Sequence, residues 1–178
     1  MQNIWIVSDT HFDHGRIIEL CDRPFRDVNE MNNTLIENWN KVVKPNDMVY
    51  HLGDFSFSKE QRIESLVRQL NGKIILILGN HDKLSRNFYK NTFERVFDYY
   101  KLRCNNEKYI LFHYPIYEWD GFFRGTIHLH GHVHGNSKNS NVQDIPGRQH
   151  AVDMSVDSRD WRPVNIDEIA GIVNQRAL

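Results

Sequence analysis

The chain has 178 residues, of which 40% are hydrophobic and 25% charged, and its formal net charge is −1. That length supports one domain, residues 1–178, with a sizeable core. The balanced charge excludes a strong overall field for drawing in polyanions, so long nucleic acid is not an expected partner.

The N-terminus, MQNIWIVSDTH, has no basic segment and an apolar run of only four residues. That is too short for a signal-peptide core or a membrane span, so no membrane association is expected. Cys21 and Cys104 lie in unrelated contexts without a CxxC, which reads as free thiols in a reduced compartment. Together these features point to the cytoplasm.

Ile4 to Val7 is rich in β-branched residues and predicts a buried strand ending at Ser8-Asp9. A short helix is expected around Gly15 to Cys21. Asp27 with Glu30 forms a capping-box pattern, and Met31, Leu35, Trp39, Val42 and Val43 follow at helical spacing until Pro45-Asn46-Asp47. Met48 to Leu52 predicts a second strand, ending in Gly53-Asp54. Ser58 with Gln61 suggests another capping box, with Ile63, Leu66, Val67 and Leu70 on one helical face and Asn71-Gly72 as the stop. Lys73 to Leu78 predicts a third buried strand, ending in Gly79-Asn80-His81-Asp82. Alternating strands and helices imply a largely parallel sheet, and ligands bind such sheets at the C-terminal strand ends.

The second half changes character. Val96 to Cys104 and Lys108 to His113 read as two strands around a turn at Asn105-Asn106. Thr126 to His130 and Ala151 to Val156 predict further strands, and Asn165 with Glu168 caps a last helix. A second, more antiparallel sheet packed on the first is expected within one domain.

Residues 128 to 135 read HLHGHVHG, which places four of the ten histidines within seven residues. Metal is the leading explanation for such crowding. The strand ends add Asp9-Thr10-His11, Gly53-Asp54, Asn80-His81-Asp82 and His113. Carboxylates, an amide oxygen and imidazoles suit borderline divalent cations such as Mn, Fe, Ni or Zn. The set exceeds what one tetrahedral zinc needs and would serve two ions sharing a carboxylate. If Asp9 and His11 lie on a strand, their i, i+2 spacing turns both to one face, and the same holds for His132 and His134. Gly53, Gly79 and Gly131 each precede a candidate ligand.

The order DxH, GD, GNHD, H, GHxH resembles the calcineurin-like metallophosphoesterase family over Asp9 to His134. The stretches SDTHFDH, CDRPF, NWNKVVKPNDMVYHLGDF and LHGHVHG look closest to its small, single-domain bacterial and phage members. The resemblance implies an α/β fold of four layers, with two mixed β-sheets between helices. It implies that Asp9, His11 and His134 bind a first divalent ion, with Mn favoured. Asn80, His113 and His132 bind a second, and Asp54 bridges the two. His81 would sit over the scissile phosphate with Asp82 orienting it. A hydroxide shared by the ions would attack phosphorus in line. After Gly53-Asp54 the chain continues Phe55-Ser56-Phe57, unlike the Ser/Thr protein phosphatase branch, which argues against phosphoprotein substrates.

Other residues carry weaker signals. Arg23 could clamp a phosphate bidentately or pair with a local Asp. His51 and His128 read as core histidines, and His14 and His150 as surface or supporting residues. The aromatic segment Tyr114 to Arg124 is a stacking platform, with Arg124 near substrate, or a packed loop or homodimer contact. The function expected is hydrolysis of a small phosphodiester, such as a cyclic or short nucleotide. A phosphomonoesterase, a nuclease and a non-catalytic binding module on the same fold are the alternatives. Little chain remains for a capping domain, residues 141–149 being the spare segment.

Overall fold

The structure is a computed structural model that describes residues 2–135 and 150–176; residues 141–149 lie outside the described residues. Strand β1 (Ile4–Val7) is followed by helices α1 (Arg16–Leu20) and α2 (Val28–Val42). Next come β2 (Met48–His51), α3 (Glu60–Gln69), β3 (Lys73–Ile77), α4 (Arg86–Thr92) and β4 (Arg95–Phe97). The second half contributes β5 (Tyr99–Cys104), β6 (Glu107–Phe112), β7 (Ile127–His130), β8 (Ala151–Asp153), β9 (Val164–Asn165) and α5 (Ile166–Arg176).

The first sheet has the order β4-β3-β2-β1-β9, parallel except for β9. The second has the order β5-β6-β7-β8, with only β5–β6 antiparallel. This is the expected α/β architecture of two mixed sheets with helices, although the second sheet is more parallel than expected. Strand alternation divides the core. Trp5, Val7, Val49, Ile74 and Leu76 face Met31, Leu35, Trp39, Ile63 and Leu66 on the helices. Ile6, Tyr50, Ile75 and Ile77 face Leu102, Tyr109, Leu111, Leu129 and Val152 of the second sheet. Successive strand residues point to opposite faces, so one short apolar run serves both layers. Ile166, Ile169 and Val173 bring α5 into the core between the sheets.

The local signals were realised unevenly. Asp27 caps α2 by accepting from the amides of Asn29 and Glu30. The Glu30 carboxylate accepts from the Arg26 amide, one residue before the cap. Ser58 does not cap α3: Lys59 holds that position without a side-chain bond, and the Ser58 hydroxyl donates to Asp13. Asn105 and Asn106 both have positive φ, 49° and 65°, as a two-residue hairpin turn requires. The strand expected over Val96–Cys104 is two strands in different sheets. The chain leaves β4 at Phe97, passes Asp98 and enters β5. Apolar alternation runs through both pieces, so sequence pattern has no mark for the change of partner. Among the described residues, no helix is long and apolar enough to cross a membrane.

Asp47 sets the start of β2 and is only 2% exposed. It accepts from the Asn3 amide at 3.0 Å, the Trp5 indole at 2.9 Å and the Lys44 amide at 3.0 Å. Burial pushes its pKa up, but these donors outweigh burial and hold it below the ordinary 3.8. Asp47→Asn should therefore cost about 2–3 kcal/mol in urea unfolding at pH 7, the scale of lost charge-assisted bonds. A carboxylate lowered by folding stabilises fully above its unfolded pKa and ceases to do so as pH falls through its folded value. The gap between wild type and variant should accordingly narrow below pH 3.8.

Candidate metal centre

The parallel registers Val7↔His51 and His51↔Leu76 bring the C-terminal ends of β1, β2 and β3 level at one edge. β6 and β7 run parallel to each other and end at Phe112 and His130. Every candidate ligand follows one of these five ends. Beyond them, the first loops stay paired: the His11 amide donates to Asp54 O and the Phe12 amide to Phe55 O, both at 3.0 Å.

Two carboxylates lie at the centre. Asp9 Oδ1 is 3.8 Å from His11 Nε2 and 3.5 Å from His134 Nε2. Asp54 Oδ2 is 3.5 Å from His11 Nε2, 3.6 Å from His113 Nε2 and 4.0 Å from His81 Nε2. Asn80 Oδ1 lies 2.8 Å from His113 Nε2 and 2.9 Å from His132 Nδ1. Asp9, His11 and His134 form one compact donor group, and Asp9, Asp54 and His113 another. All seven predicted ligands therefore meet in one place, with His81 beside them.

The i, i+2 strand argument does not explain this convergence. Asp9, His11, Asp54, His132 and His134 all lie beyond strand ends, with φ of 56°, 48°, 56°, 71° and 50°. Left-handed turns, not strand alternation, aim them inward. Such conformations are costly for non-glycine residues and concentrate at functional sites. Two glycines have distinct tasks. Gly53 itself has φ of 97°. At Gly131, a Cβ would come within 2.0 Å of Asp9 Oδ2 and of Ser8 Oγ.

The donors fit divalent cations. Asp9 Oδ1 and both ring nitrogens of His11 are buried without a hydrogen-bond partner, and leaving such atoms unsatisfied costs free energy. Burial opposes ionisation of Asp9, yet His11, His134 and His113 hold its pKa below the usual carboxylate range. A preformed, ionised carboxylate beside open imidazole nitrogens is a donor set for N/O-ligated metals.

The calcineurin-like phosphoesterase profile matches residues 2–162. The chain belongs to the calcineurin-like phosphoesterase family. It is thus a metal-dependent phosphoester hydrolase. An uncharacterized protein of Methanocaldococcus jannaschii is 40% identical over 177 residues, covering 98% of this chain and 93% of that one. The gene 66 protein of Mycobacterium phage L5 is 31% identical over 204 residues, covering 98% and 95%. The crystal structure of AQ665 from Aquifex aeolicus, a protein of unknown function, superposes with a TM-score of 0.78 at 29% identity. It covers 97% of this chain and 100% of its own.

Three expected roles in the phosphoesterase site need correction. Asp82 does not orient His81. Its carboxylate is occupied by the amides of Gly79 (2.8 Å), Asp54 (2.8 Å) and Phe55 (3.1 Å), so it ties the β3 loop to the β2 loop. Burial and the Asp54 charge push its pKa up to about 6 against those three donors. Arg23 is not a phosphate clamp. It is buried and donates to both oxygens of Asp157, at 2.9 and 2.8 Å, and to the backbone oxygens of Asp9 and Thr10. Arg124 is remote from the ligands: it precedes the start of β7, they follow its end, and the guanidinium leans on Asp120 at 3.6 Å.

Two supporting carboxylates escaped the sequence reading. Asp157 Oδ2 lies 2.9 Å from His134 Nδ1, which leaves Nε2 facing Asp9. Burial alone would lower the His134 pKa, but Asp157, Cys21 and Asp9 raise it to about 10. Asp153 accepts from the Gly135 amide at 2.8 Å and so holds the end of the histidine loop. Both follow the rule used for the other strand ends, a polar residue at or just past the C-terminus of β8. His51 and His128 are core histidines, as their places in apolar strands imply, and both are fully buried. His14 stacks on Phe57 at 3.7 Å. Trp119 of the aromatic segment is buried and donates to Thr126 O, in keeping with a packed loop.

Arg23 touches the candidate donors through Asp157 and His134 and through the backbone oxygen of Asp9, and so supports the metal site rather than substrate. Arg23→Gln should weaken manganese binding about ten- to a hundredfold, as losses of outer partners do. Isothermal titration checks this. At saturating manganese, KM should stay within about twofold of wild type, whereas a phosphate clamp would raise it.

Proposed function

We propose that this phosphoesterase hydrolyses a small phosphodiester at a two-metal centre bridged by Asp54. The observation that carries the reading is the position of Asp54 Oδ2, within 3.6 Å of both His11 Nε2 and His113 Nε2. One oxygen thus faces both ligand groups. Asp9, His11 and His134 would hold one cation, and Asn80, His113 and His132 the other, with manganese favoured over iron, nickel or zinc. When bound, the pair supplies Lewis acidity toward phosphoryl oxygens and a more acidic water.

The chain's own residues supply the rest. The His81 amide donates to Asp54 Oδ1 at 2.8 Å, which fixes the loop that carries the ring. The His81 side chain is 35% exposed, whereas His11 and His113 are closed off. It can therefore reach a leaving oxygen and protonate it. A cavity of about 200 Å³ opens beside it, lined by Phe57, Ser58, Lys83, Leu84 and Tyr89. That volume suits a compact leaving group. The two free cysteines accord with a cytoplasmic setting.

His81→Ala tests the assignment. Manganese content by elemental analysis should match wild type, because His81 is in neither ligand group. Turnover of bis-p-nitrophenyl phosphate should fall about 10²–10⁴-fold. Unchanged turnover would remove His81 from the chemistry. Faster hydrolysis of the aryl monoester than of the diester by wild type would favour the phosphomonoesterase reading.

A further inference from the structure

We propose that the outer face of the edge strand β5, with Lys108 of β6 beside it, is a track for a short single-stranded oligonucleotide, leading one of its phosphodiesters to the metal centre. The proposal rests on the phosphodiesterase reading and names its substrate class.

β5 and β6 pair Tyr99 with Phe112, Lys101 with Ile110 and Arg103 with Lys108. Leu102, Tyr109 and Leu111 of these strands point into the core between the sheets, so Tyr99, Lys101, Arg103 and Lys108 share the outer face. Arg103 and Lys108 are like charges directly opposite each other, which is unfavourable. Neither has an ion-pair partner among the described residues. With Lys101 and Arg124 they line a cavity of about 170 Å³. Its one carboxylate, Asp120, is shared by Lys101 at 2.7 Å and Arg124 at 3.6 Å. Four cations face one anion in this cavity, and Glu107 is the second carboxylate beside Arg103 and Lys108, which leaves a local positive surface that the whole-chain charge conceals.

Aromatic rings continue from this surface to the metal ligands. Tyr99 meets Phe112 at 6.0 Å, Phe112 meets Tyr114 at 5.6 Å, and Tyr114 meets His132 at 4.7 Å. Tyr99 is 37% and Tyr114 36% exposed, so each retains surface for stacking. Cations for phosphates combined with rings for bases are the two parts of a sequence-tolerant single-strand site. A duplex keeps its base faces stacked on one another and would leave the rings unused. On β6 the outward Ile110 is covered by Trp119 and Phe122, so the open path follows the edge strand β5, which advances roughly 14 Å from Arg103 to Tyr99 at about 3.4 Å per residue. That is room for about four stacked nucleotides, so the track suits a short strand rather than a long polymer.

The test uses full-length, manganese-loaded protein and a fluorescent phosphorothioate octathymidylate that resists cleavage. Anisotropy should show binding that weakens with salt. In Arg103→Ala/Lys108→Ala, the slope of log K against log salt should shrink by about 1.4, or about 0.7 for each lost phosphate contact. Tyr99→Leu should weaken binding about tenfold with the slope intact. The ratio of kcat/KM on ordinary octathymidylate to that on bis-p-nitrophenyl phosphate should fall about tenfold in the double variant. Absence of binding by wild type, or an unaltered slope and ratio in the double variant, overturns the track and returns these charges to guarding an edge strand. Loss of binding in the variant while wild type hydrolyses no phosphoester would sustain the track and sink the hydrolase reading instead.

Discussion

Each central carboxylate divides its two oxygens between the scaffold and the cluster of candidate metal donors. Asp9 accepts the His132 amide with Oδ2 and leaves Oδ1 toward His11 and His134. Asp54 accepts the His81 amide with Oδ1 and turns Oδ2 toward His11 and His113. In both cases the amide belongs to another functional segment. The carboxylates thus knit the post-strand loops together with one oxygen and turn the other toward the imidazoles. Both carboxylates are buried among imidazoles, and this need to set buried acidic oxygens against positive partners organises the rest of the site.

Holding that arrangement takes a supporting layer. Asp82 fastens the β2 and β3 loops through three amides. Arg23 joins Asp157 to the backbone of Asp9 and Thr10, and Asp157 then orients His134. Five candidate ligands have left-handed backbone, a strain of order 1–3 kcal/mol each that the surrounding structure must overcome. The apolar cores on both faces of the first sheet supply that rigidity, because the strands carrying the loops cannot shift without opening packed side chains. Strand, ligand and outer partner therefore form one mechanical unit.

The two flanks of the centre differ. On the His81 side, the cavity with Phe57 and Lys83 is small and lies against the His81 ring. On the His132 side, Tyr114 opens onto a ring-lined face that becomes basic with distance. This asymmetry suits a diester, whose two substituents must leave in different directions. A monoester has only one substituent to place.

Much of this was legible in the residues themselves. Apolar runs ending in Asp9, Asp54 and Asn80 marked strands with ligands at their C-terminal ends, because hydrophobic periodicity and ligand chemistry are both local properties. The break between β4 and β5, the antiparallel β9, and the partners of Arg23 and Asp82 were not legible. Each depends on which of several available groups lies nearest after folding. Arg23 and Asp157 are 134 positions apart, and no local pattern announces their contact. Tyr99 to Lys108 reads as an ordinary amphipathic hairpin until the hairpin is placed beside Tyr114 and Arg124. Donor types and their order are written along the chain. Their convergence at one sheet edge, and the ring-lined face beside it, exist only once the sheets pack, since distance between side chains is a property of the fold alone.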